Sequence, residues 1–346
     1  MRPTLNIWVI RRDGTTSESH TTVSYIISRD YLTAEKSSFE ILEDVEFQNG
    51  DILMAKFQEG KGVAFFGIID SSENNKIVCN DLFTIVNFEF PATRITGDSF
   101  ENHARNLINR YLVQDVNKLM DILDINVMSN TKHIYQPAEP PTPTNLMKYL
   151  INGFKKYNVV WSMDGIINGR IKSTLNACTE TIQLKDNITS FENWDISTTE
   201  VGKGVENHLL IINKNTTNSE GPNVLSQWWL TRDNEVVSNA NHPSIIKPTK
   251  TKVWIYDTTE EDKPAYEDIA NSELKGSYYS HEITVDIPID SEIIQFELLT
   301  IGRLATIVHK ETTYQSVLTG YALSNESEAI TLRFGHIRSR LSELLE

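Results

Sequence analysis

Apolar and polar residues alternate in several runs along this chain, which is the spacing of half-buried β-strands. From Ala329 to Phe334 the apolar side chains of Ile330, Leu332 and Phe334 fall on one face, and the residues between them fall on the other. Other runs rich in β-branched and aromatic residues lie at residues 5–10, 22–28, 39–42, 52–57, 63–69, 77–80, 300–309 and 312–321. These runs predict a small barrel or sandwich at the start of the chain and a β-meander at its end.

The pattern changes to helical spacing in the middle of the chain. Apolar residues recur at intervals of three and four between Phe100 and Tyr111, and Asp98 with Glu101 forms a capping box before them. A short helical stretch is predicted over residues 116–123 and another helix over residues 144–156. The latter follows the proline-rich stretch at 137–143, which predicts an extended linker because proline disfavours helix in the residue before it. The middle of the chain therefore has an α+β pattern.

Strand patterns return after Val205, with one further helix near residues 264–275. That helix lies in the most acidic part of the chain, because residues 257–297 hold 12 acidic residues and two lysines, a net charge of −10. The whole chain of 346 residues has a formal net charge of −15. Tight nucleic-acid binding needs clustered Lys and Arg, so this balance speaks against a DNA- or RNA-binding protein. The length is typical of two or three domains.

The sequence lacks the usual signatures of a catalytic or metal-binding site. Its eight histidines are scattered without HExxH or paired spacing. Cys79 and Cys178 are far apart with no CxxC pair, so we expect both to be small buried apolar residues. Carboxylates are abundant, which leaves a glycosidase-like pair open as a minor alternative. We therefore predict a protein that is not an enzyme and has no cofactor or metal.

Two adjacent tryptophans, Trp228 and Trp229, are the clearest candidates for ligand contacts, because aromatic rings can stack on sugars. Adjacent residues of a strand point to opposite faces, so the favoured prediction places one ring in a core and the other in an interface. No apolar run approaches the roughly 18 residues of a membrane span, and the first apolar run is too short for a signal peptide. We therefore expect the chain to fold in a cytosol.

The order of these elements resembles the tail-hub proteins of siphophages that infect Gram-positive bacteria, which are similar to the baseplate hub of contractile-tailed phages. A strand-rich start and a helical middle are followed by three segments that carry the resemblance. They are NHLLIIN at residues 207–213, the helix at residues 265–276 with its ending ELKG, and LRFGHIR at residues 332–338.

The resemblance implies an α+β, mainly β fold with two tube-like β-barrel domains and an α+β middle domain. The first barrel would span residues 1–95, and the middle domain residues 96–200 with the linker at 137–143. The second barrel would span residues 201–346, with the acidic helix near 264–275 inserted in it. Three subunits would place six barrels in a ring that matches the hexameric tail tube.

The function implied by the resemblance is that of a structural protein of the phage tail tip, or baseplate hub. It would be a homotrimer that adapts the sixfold tube to a threefold tip and gates the DNA channel. Its partners would be the distal tail protein ring, the tape measure protein and baseplate or receptor-binding proteins, and DNA would pass without specific binding. Its location would be the virion, after assembly in the cytoplasm of the bacterial host.

Three arginines near the end of the chain, Arg333, Arg338 and Arg340, are the candidate interface cations of this hub. The alternative function is a carbohydrate-binding host-recognition protein, or adhesin, of the tail tip. In that alternative, Trp228 and Trp229 would stack on the glycan.

Overall fold

The computed structural model describes residues 3–11, 13–33, 35–43, 45, 47–58, 62–92, 99–118, 120–128, 142–185, 193–198, 206–215, 221–232, 235–245, 247, 249–259, 265–274, 281–289 and 295–335. In these residues the chain forms two six-stranded β-units, an α+β region and a small inserted sheet covered by a helix. This is the α+β, mainly β fold that the resemblance implies, with one closed barrel and a second six-stranded unit in the described residues.

Within the described part of residues 3–92, six strands close into a barrel. They are β1 (Leu5–Ile10), β2 (His20–Asp30), β3 (Ser37–Ile41), β4 (Ile52–Phe57), β5 (Val63–Glu73) and β6 (Lys76–Asp81). The strand order is β1-β4-β5-β6-β3-β2, and the antiparallel pairing of β1 with β2 closes the ring. Closure pairs both edges of the sheet with each other, which removes the exposed edges of an open sheet.

The alternation of apolar residues explains which side chains fill this barrel. Ile7 and Val9 on β1 are fully buried in the central core, whereas Trp8 between them packs against the region outside the barrel. Phe39 and Phe65 meet in the interior with their ring centroids 5.5 Å apart. Because the period of a strand is two, the same strand contributes to the barrel core and to the surface on which the next region packs.

The next region contains two α-helices, the first continued by a π-helical turn at Asn109–Val113, and several strands in its described residues. They are β7 (Glu89–Ala92), α1 (Phe100–Ile108), β8 (Leu123–Val127), β9 (Thr142–Asn145), α2 (Leu146–Tyr157), β10 (Val159–Ile167) and β11 (Arg170–Ala177). The sheet order is β10-β11-β8, with β11 and β8 parallel, and β7 pairs with β9. The helices predicted over Phe100 to Tyr111 and residues 144–156 are confirmed, whereas the helical stretch predicted at residues 116–123 is wrong, because its described residues form turns and the start of β8.

The helix caps differ in detail from the sequence prediction. The N-cap of α1 is Ser99, whose hydroxyl accepts a hydrogen bond from the main-chain nitrogen of Asn102 at 3.3 Å. The predicted cap at Asp98 is therefore wrong by one residue, because Ser and Asp are almost equally good caps and the pattern does not separate them. Asp98 itself lies outside the described residues. Asn145 caps α2, and Asn158 ends it in the left-handed conformation with φ of 53°.

The helices pack against the outside of the first barrel. Phe100 and Leu107 of α1 are fully buried in a cluster that also contains Phe66 of β5 and Leu82 of the turn after β6. Gly153 of α2 lies against the ring of Phe100, and a Cβ atom at that position would be 2.0 Å from the ring Cζ. The absence of a side chain at Gly153 therefore sets how closely the two helices approach.

The chain then forms two strands of the second unit and an inserted sheet. In chain order they are β12 (Thr181–Lys185), β13 (Asn193–Thr198), β14 (His208–Asn213), β15 (Val224–Leu230), β16 (Val236–Val237), β17 (Thr251–Tyr256) and α3 (Tyr266–Leu274). The inserted sheet has the order β16-β15-β14-β17. Leu209 and Ile211 of β14 are buried beneath Ala270 and Leu274 of α3. The helix predicted near residues 264–275 is confirmed as α3.

The last strands complete the second six-stranded unit in the described residues. They are β18 (His281–Pro288), β19 (Leu304–His309), β20 (Thr312–Ser324) and β21 (Ala329–Gly335). The strand order is β12-β19-β20-β21-β18-β13. Ile283, Ile307, Leu332 and Phe334 are fully buried between these strands. The face predicted for the run from Ala329 to Phe334 is therefore the buried face of β21.

The strand pairing groups the chain differently from a simple division into consecutive segments. β12 and β13 precede residue 201, yet they pair with β19 and β18. The domain boundaries at residues 95 and 200 stay a prediction. Of the predicted linker at 137–143, residues 137–141 lie outside the described residues, and Thr142 and Pro143 belong to β9.

Candidate functional site

The two six-stranded units are joined side by side through β2 and β20. The register pairs Arg29 with Tyr321 and Asp30 with Gly320, in an antiparallel ladder. Gly320 suits this junction because a Cβ atom there would lie 3.0 Å from the carbonyl oxygen of Arg29. β20 also pairs with β19 and β21, so one strand belongs to both the second unit and the junction. A continuous sheet therefore holds the two units beside each other.

A buried ion pair lies beside this junction, within the first barrel. Arg29 Nε donates to Asp81 Oδ2 at 2.6 Å, and the two side chains are only 21% and 3% exposed. Burial acts to lower the pKa of Arg29, but Asp81 and the Tyr321 hydroxyl outweigh it and raise this pKa above its ordinary value. Asp81 also accepts a hydrogen bond from the main-chain nitrogen of Phe83 at 2.8 Å. The same carboxylate thus connects β2 to the turn that follows β6.

The sequence analysis missed this pair. Arg29 and Asp81 are 52 positions apart, and neither lies in a charge cluster. The pairing of β3 with both β6 and β2 brings the two side chains together. The sequence signal that could have identified this pair was the position of Asp81 at the end of an apolar run. An aspartate at that position is also common in turns and caps, so it did not indicate an ion pair.

The inserted sheet has an open face opposite α3 in the described residues. Val253 and Ile255 on β17 are 52% and 63% exposed, and they pair with Leu210 and Ile212 on β14. β17 is also the end strand of this sheet in the described part of the chain. A contiguous apolar face of this kind is typical of a contact surface.

The adjacent tryptophans lie on opposite faces of β15. Trp228 pairs with Leu209 and packs against the core beneath α3. Trp229 pairs with His208 and stacks on its ring, with 4.9 Å between centroids and 15° between planes. The two rings therefore do not form one platform. Carbohydrate binding stays a prediction that rests on Trp229 alone, and loss of binding to purified cell-wall polysaccharide in Trp229→Ala would support it.

One of the three predicted interface cations lies within the described residues. Arg333 is on β21, between Thr284 of β18 and Gly320 of β20, and it is half-buried. Arg338 and Arg340 lie outside the described residues. The interface role of all three stays a prediction.

The acidic segment at residues 257–297 is partly neutralised by lysines from outside it. Asp257 binds Lys214 at 2.9 Å, and Glu273 on α3 binds Lys252 at 2.8 Å. The first turn of α3 keeps two exposed carboxylates. A charge count along the sequence therefore overstates the negative electrostatic potential of this segment, because the count omits Lys214 and Lys252, which the fold places beside its carboxylates.

The chemistry-bearing residues are spread out in the described part of the chain. No group of three or more His, Cys, Asp or Glu side chains there is placed to hold a metal ion. Cys79 is buried, which raises the pKa of its thiol. Cys178 is only half-buried, so the expectation that it is a core residue is wrong; its thiol donates to the carbonyl oxygen of Glu180 at 3.2 Å. Of the described helices, none has the length and apolar composition needed to cross a membrane.

Two six-stranded β-units joined in one sheet, with an α+β region and an inserted sheet, form the fold of phage tail proteins. Prophage tail protein gp18 from Listeria monocytogenes EGD-e matches with a TM-score of 0.53 and 8% identity, over 98% of this chain and 97% of that one. The tail protein from Neisseria meningitidis MC58 matches with a TM-score of 0.52 and 13% identity, over 97% of each chain.

A third solved structure with this fold is the 43 kDa tail protein of prophage MuSo2 from Shewanella oneidensis. It matches with a TM-score of 0.52 and 9% identity, over 96% of this chain and 98% of that one. No protein-family model and no curated protein matches the sequence. At such low identity the likeness shows the fold, and at that level the resemblance to tail-hub proteins is confirmed.

Proposed function

We propose that the protein is a structural, non-enzymatic component of a phage tail tip, in which three copies form a baseplate hub. The observation that carries this proposal is the pair of six-stranded units joined side by side by β2 and β20. Three copies would bring six such units into a ring. A ring of six matches the sixfold tail tube on one side while the subunits themselves keep threefold symmetry.

The edges of the second unit support contacts between copies. In the described residues, β12 pairs only with β19, and β13 pairs only with β18. An end strand presents unpaired main-chain groups, which another chain can pair with. Threefold rings use such heterologous contacts, in which one edge of a subunit meets a different surface of the next.

The charge of the chain suits a channel for DNA. The net charge is −15, and like charge keeps phosphates away from the wall while the polymer passes. In this proposal part of the segment at residues 257–297 faces the lumen, and the hub gates the channel. The hub would contact the distal tail protein ring, the tape measure protein and baseplate or receptor-binding proteins. It would be assembled in the host cytoplasm and reside in the virion.

The oligomeric state tests this proposal directly. Light scattering after size exclusion is expected to give three times 39.4 kDa, about 118 kDa. Electron microscopy of the same sample is expected to show a threefold particle with six peripheral lobes around a centre. A mass of 39.4 kDa that persists after addition of the distal tail protein would refute the hub.

A charge reversal at Arg333 tests its interface role separately. Arg333→Glu is expected to shift the population from trimer to monomer at equal protein concentration, because it places an anion where a cation contacts the neighbouring copy. Arg232→Glu is the matched control, since Arg232 is exposed on the inserted unit. If Arg333→Glu leaves the trimer fraction at the wild-type value, the interface role is refuted and the trimer is not.

A further inference from the structure

A cavity lies where the first barrel, the α+β region and the segment before β19 meet. Its volume is about 40 Å³. Four aromatic side chains and two carboxylates contribute to its walls, namely Tyr31, Phe83, Phe154, Trp161, Asp30 and Asp81. Phe83 lies edge-on to Trp161, with 5.9 Å between the ring centroids. The cavity is therefore lined by aromatic rings at steep angles to each other together with acidic groups.

One wall of this cavity carries a buried donor without a partner. Trp161 is 8% exposed, and its Nε1 has no hydrogen-bond partner among the described residues. Buried N–H groups are nearly always paired, so an orphaned one beside a cavity points to an acceptor that occupies the space. A cavity of about 40 Å³ has room for roughly three or four water-sized groups.

The charges of the cavity restrict the chemistry of that occupant. The guanidinium of Arg29 also lines the cavity, but its Nε already donates to Asp81 at 2.6 Å. Arg29, Asp30 and Asp81 together have a formal charge of −1. An anion is disfavoured in such a site, and a neutral group that both accepts and donates hydrogen bonds is favoured.

We propose that this cavity is a binding site for a small primary carboxamide. The amide oxygen accepts from Trp161 Nε1, the amide nitrogen donates to a lining carboxylate, and the planar group lies against an aromatic ring. This site is independent of the proposed hub function, since it lies within one chain and needs no second copy. Because three parts of the fold contribute to its walls, occupancy also stabilises their packing by mass action.

Three isosteric probes test the assignment in solution. Acetamide, acetone and acetate have the same heavy-atom shape, but only acetamide is a neutral donor and acceptor. With 15N-labelled indoles, acetamide is expected to shift the Trp161 resonance saturably, with a dissociation constant on the order of 10 mM for so small a ligand. Acetate at matched ionic strength is expected to bind at least tenfold more weakly, and acetone in between.

The other tryptophan resonances serve as internal controls, because Trp8, Trp194, Trp228, Trp229 and Trp254 do not line the cavity. A linear shift of all resonances, or equal binding of acetate and acetamide, would overturn the proposal. No saturable shift at Trp161 would also overturn it and would leave water as the occupant.

Two variants locate the site. Trp161→Phe assigns the resonance and removes the donor. Met163→Phe adds bulk to a wall residue while keeping Trp161, so it remains informative if the first variant does not fold. Met163→Phe is expected to weaken the acetamide response at Trp161 at least tenfold, whereas the distant Trp229→Phe keeps the wild-type response. An unchanged response in Met163→Phe would place the binding outside the cavity and refute the assignment.

Discussion

Replacement of Asp81 by alanine is expected to destabilise the first barrel beside its junction with the second unit, because it leaves Arg29 buried without its partner. The Asp81 side chain is 3% exposed and accepts from Arg29 Nε at 2.6 Å and from the Phe83 main-chain nitrogen at 2.8 Å. Alanine removes both acceptors. The guanidinium stays charged because its pKa is far above neutrality.

The size of the effect follows from burial. Breaking a buried ion pair by removing one partner costs about 3–5 kcal/mol, and loss of the cap at Phe83 adds about 1 kcal/mol. Arg29 is 21% exposed, so water reaches part of the guanidinium and the lower end of this range applies. We expect Asp81→Ala to lower the free energy of unfolding by about 4 kcal/mol.

An exposed ion pair on the same barrel gives a matched control. Lys36 Nζ lies 2.7 Å from Asp70 Oδ2, but these side chains are 52% and 37% exposed. Asp70→Ala is therefore expected to cost no more than about 1 kcal/mol. Urea unfolding followed by fluorescence gives both values, provided that the m-values agree between variants.

The double variant Arg29→Met with Asp81→Ala separates the ion pair from the cap. Removing both charges is expected to restore most of the lost stability, because no uncompensated charge is left buried. If Asp81→Ala costs the same as Asp70→Ala within about 0.5 kcal/mol, water already compensates Arg29. The pair would then not stabilise the first barrel, and the reasoning would be refuted.

Three further changes test other parts of the fold. Burial lowers the pKa of His281 from 6.5 to about 4. Between these two pH values the unfolded chain binds a proton at His281 that the folded chain does not bind. The stability that the neutral imidazole allows above pH 6.5 is therefore lost as the pH falls toward 4. Urea unfolding is expected to show a loss of about 2 kcal/mol from pH 7 to pH 5 that His281→Asn abolishes, and an unchanged slope in the variant contradicts this. Gly153→Ala is expected to cost about 1–3 kcal/mol in thermal unfolding, because the alanine Cβ would be 2.0 Å from the Phe100 ring, although alanine has the higher helix propensity. The same change in a Phe100→Leu background is expected to be nearly neutral. Equal costs in both backgrounds contradict the contact between Gly153 and Phe100. Joint replacement of the exposed Val253 and Ile255 by serine is expected to change the stability of the monomer by less than about 1 kcal/mol, and a loss above 2 kcal/mol would mean that this face is covered within the chain.

Local patterns predicted the elements better than their connections. The alternation from Ala329 to Phe334 identified the buried face of β21 correctly, and helical spacing identified α1, α2 and α3. The cap of α1 was missed by one residue because two adjacent residues are both good caps. The opposite orientations of Trp228 and Trp229 followed from the period of a strand, but the partner of each ring did not.

The charge pattern shows the same limit. The net charge of −10 in residues 257–297 is correct as a count. Lys214 and Lys252 lie outside this segment, however, and form ion pairs with its Asp257 and Glu273. The interface role of Arg333 and the domain boundaries remain predictions, since partners between chains leave no local signal in one sequence.

The sequence by itself determined which residues form strands and helices and which face of each is apolar, because those properties depend on neighbours a few positions away. Only the tertiary structure decided the strand order. Pairing of Ile26 with Ser324 joins residues almost 300 positions apart, and many registers bury the same apolar faces equally well. The Arg29–Asp81 pair and the unpartnered Trp161 donor exist only after that choice, because they depend on which strands and helices are brought together.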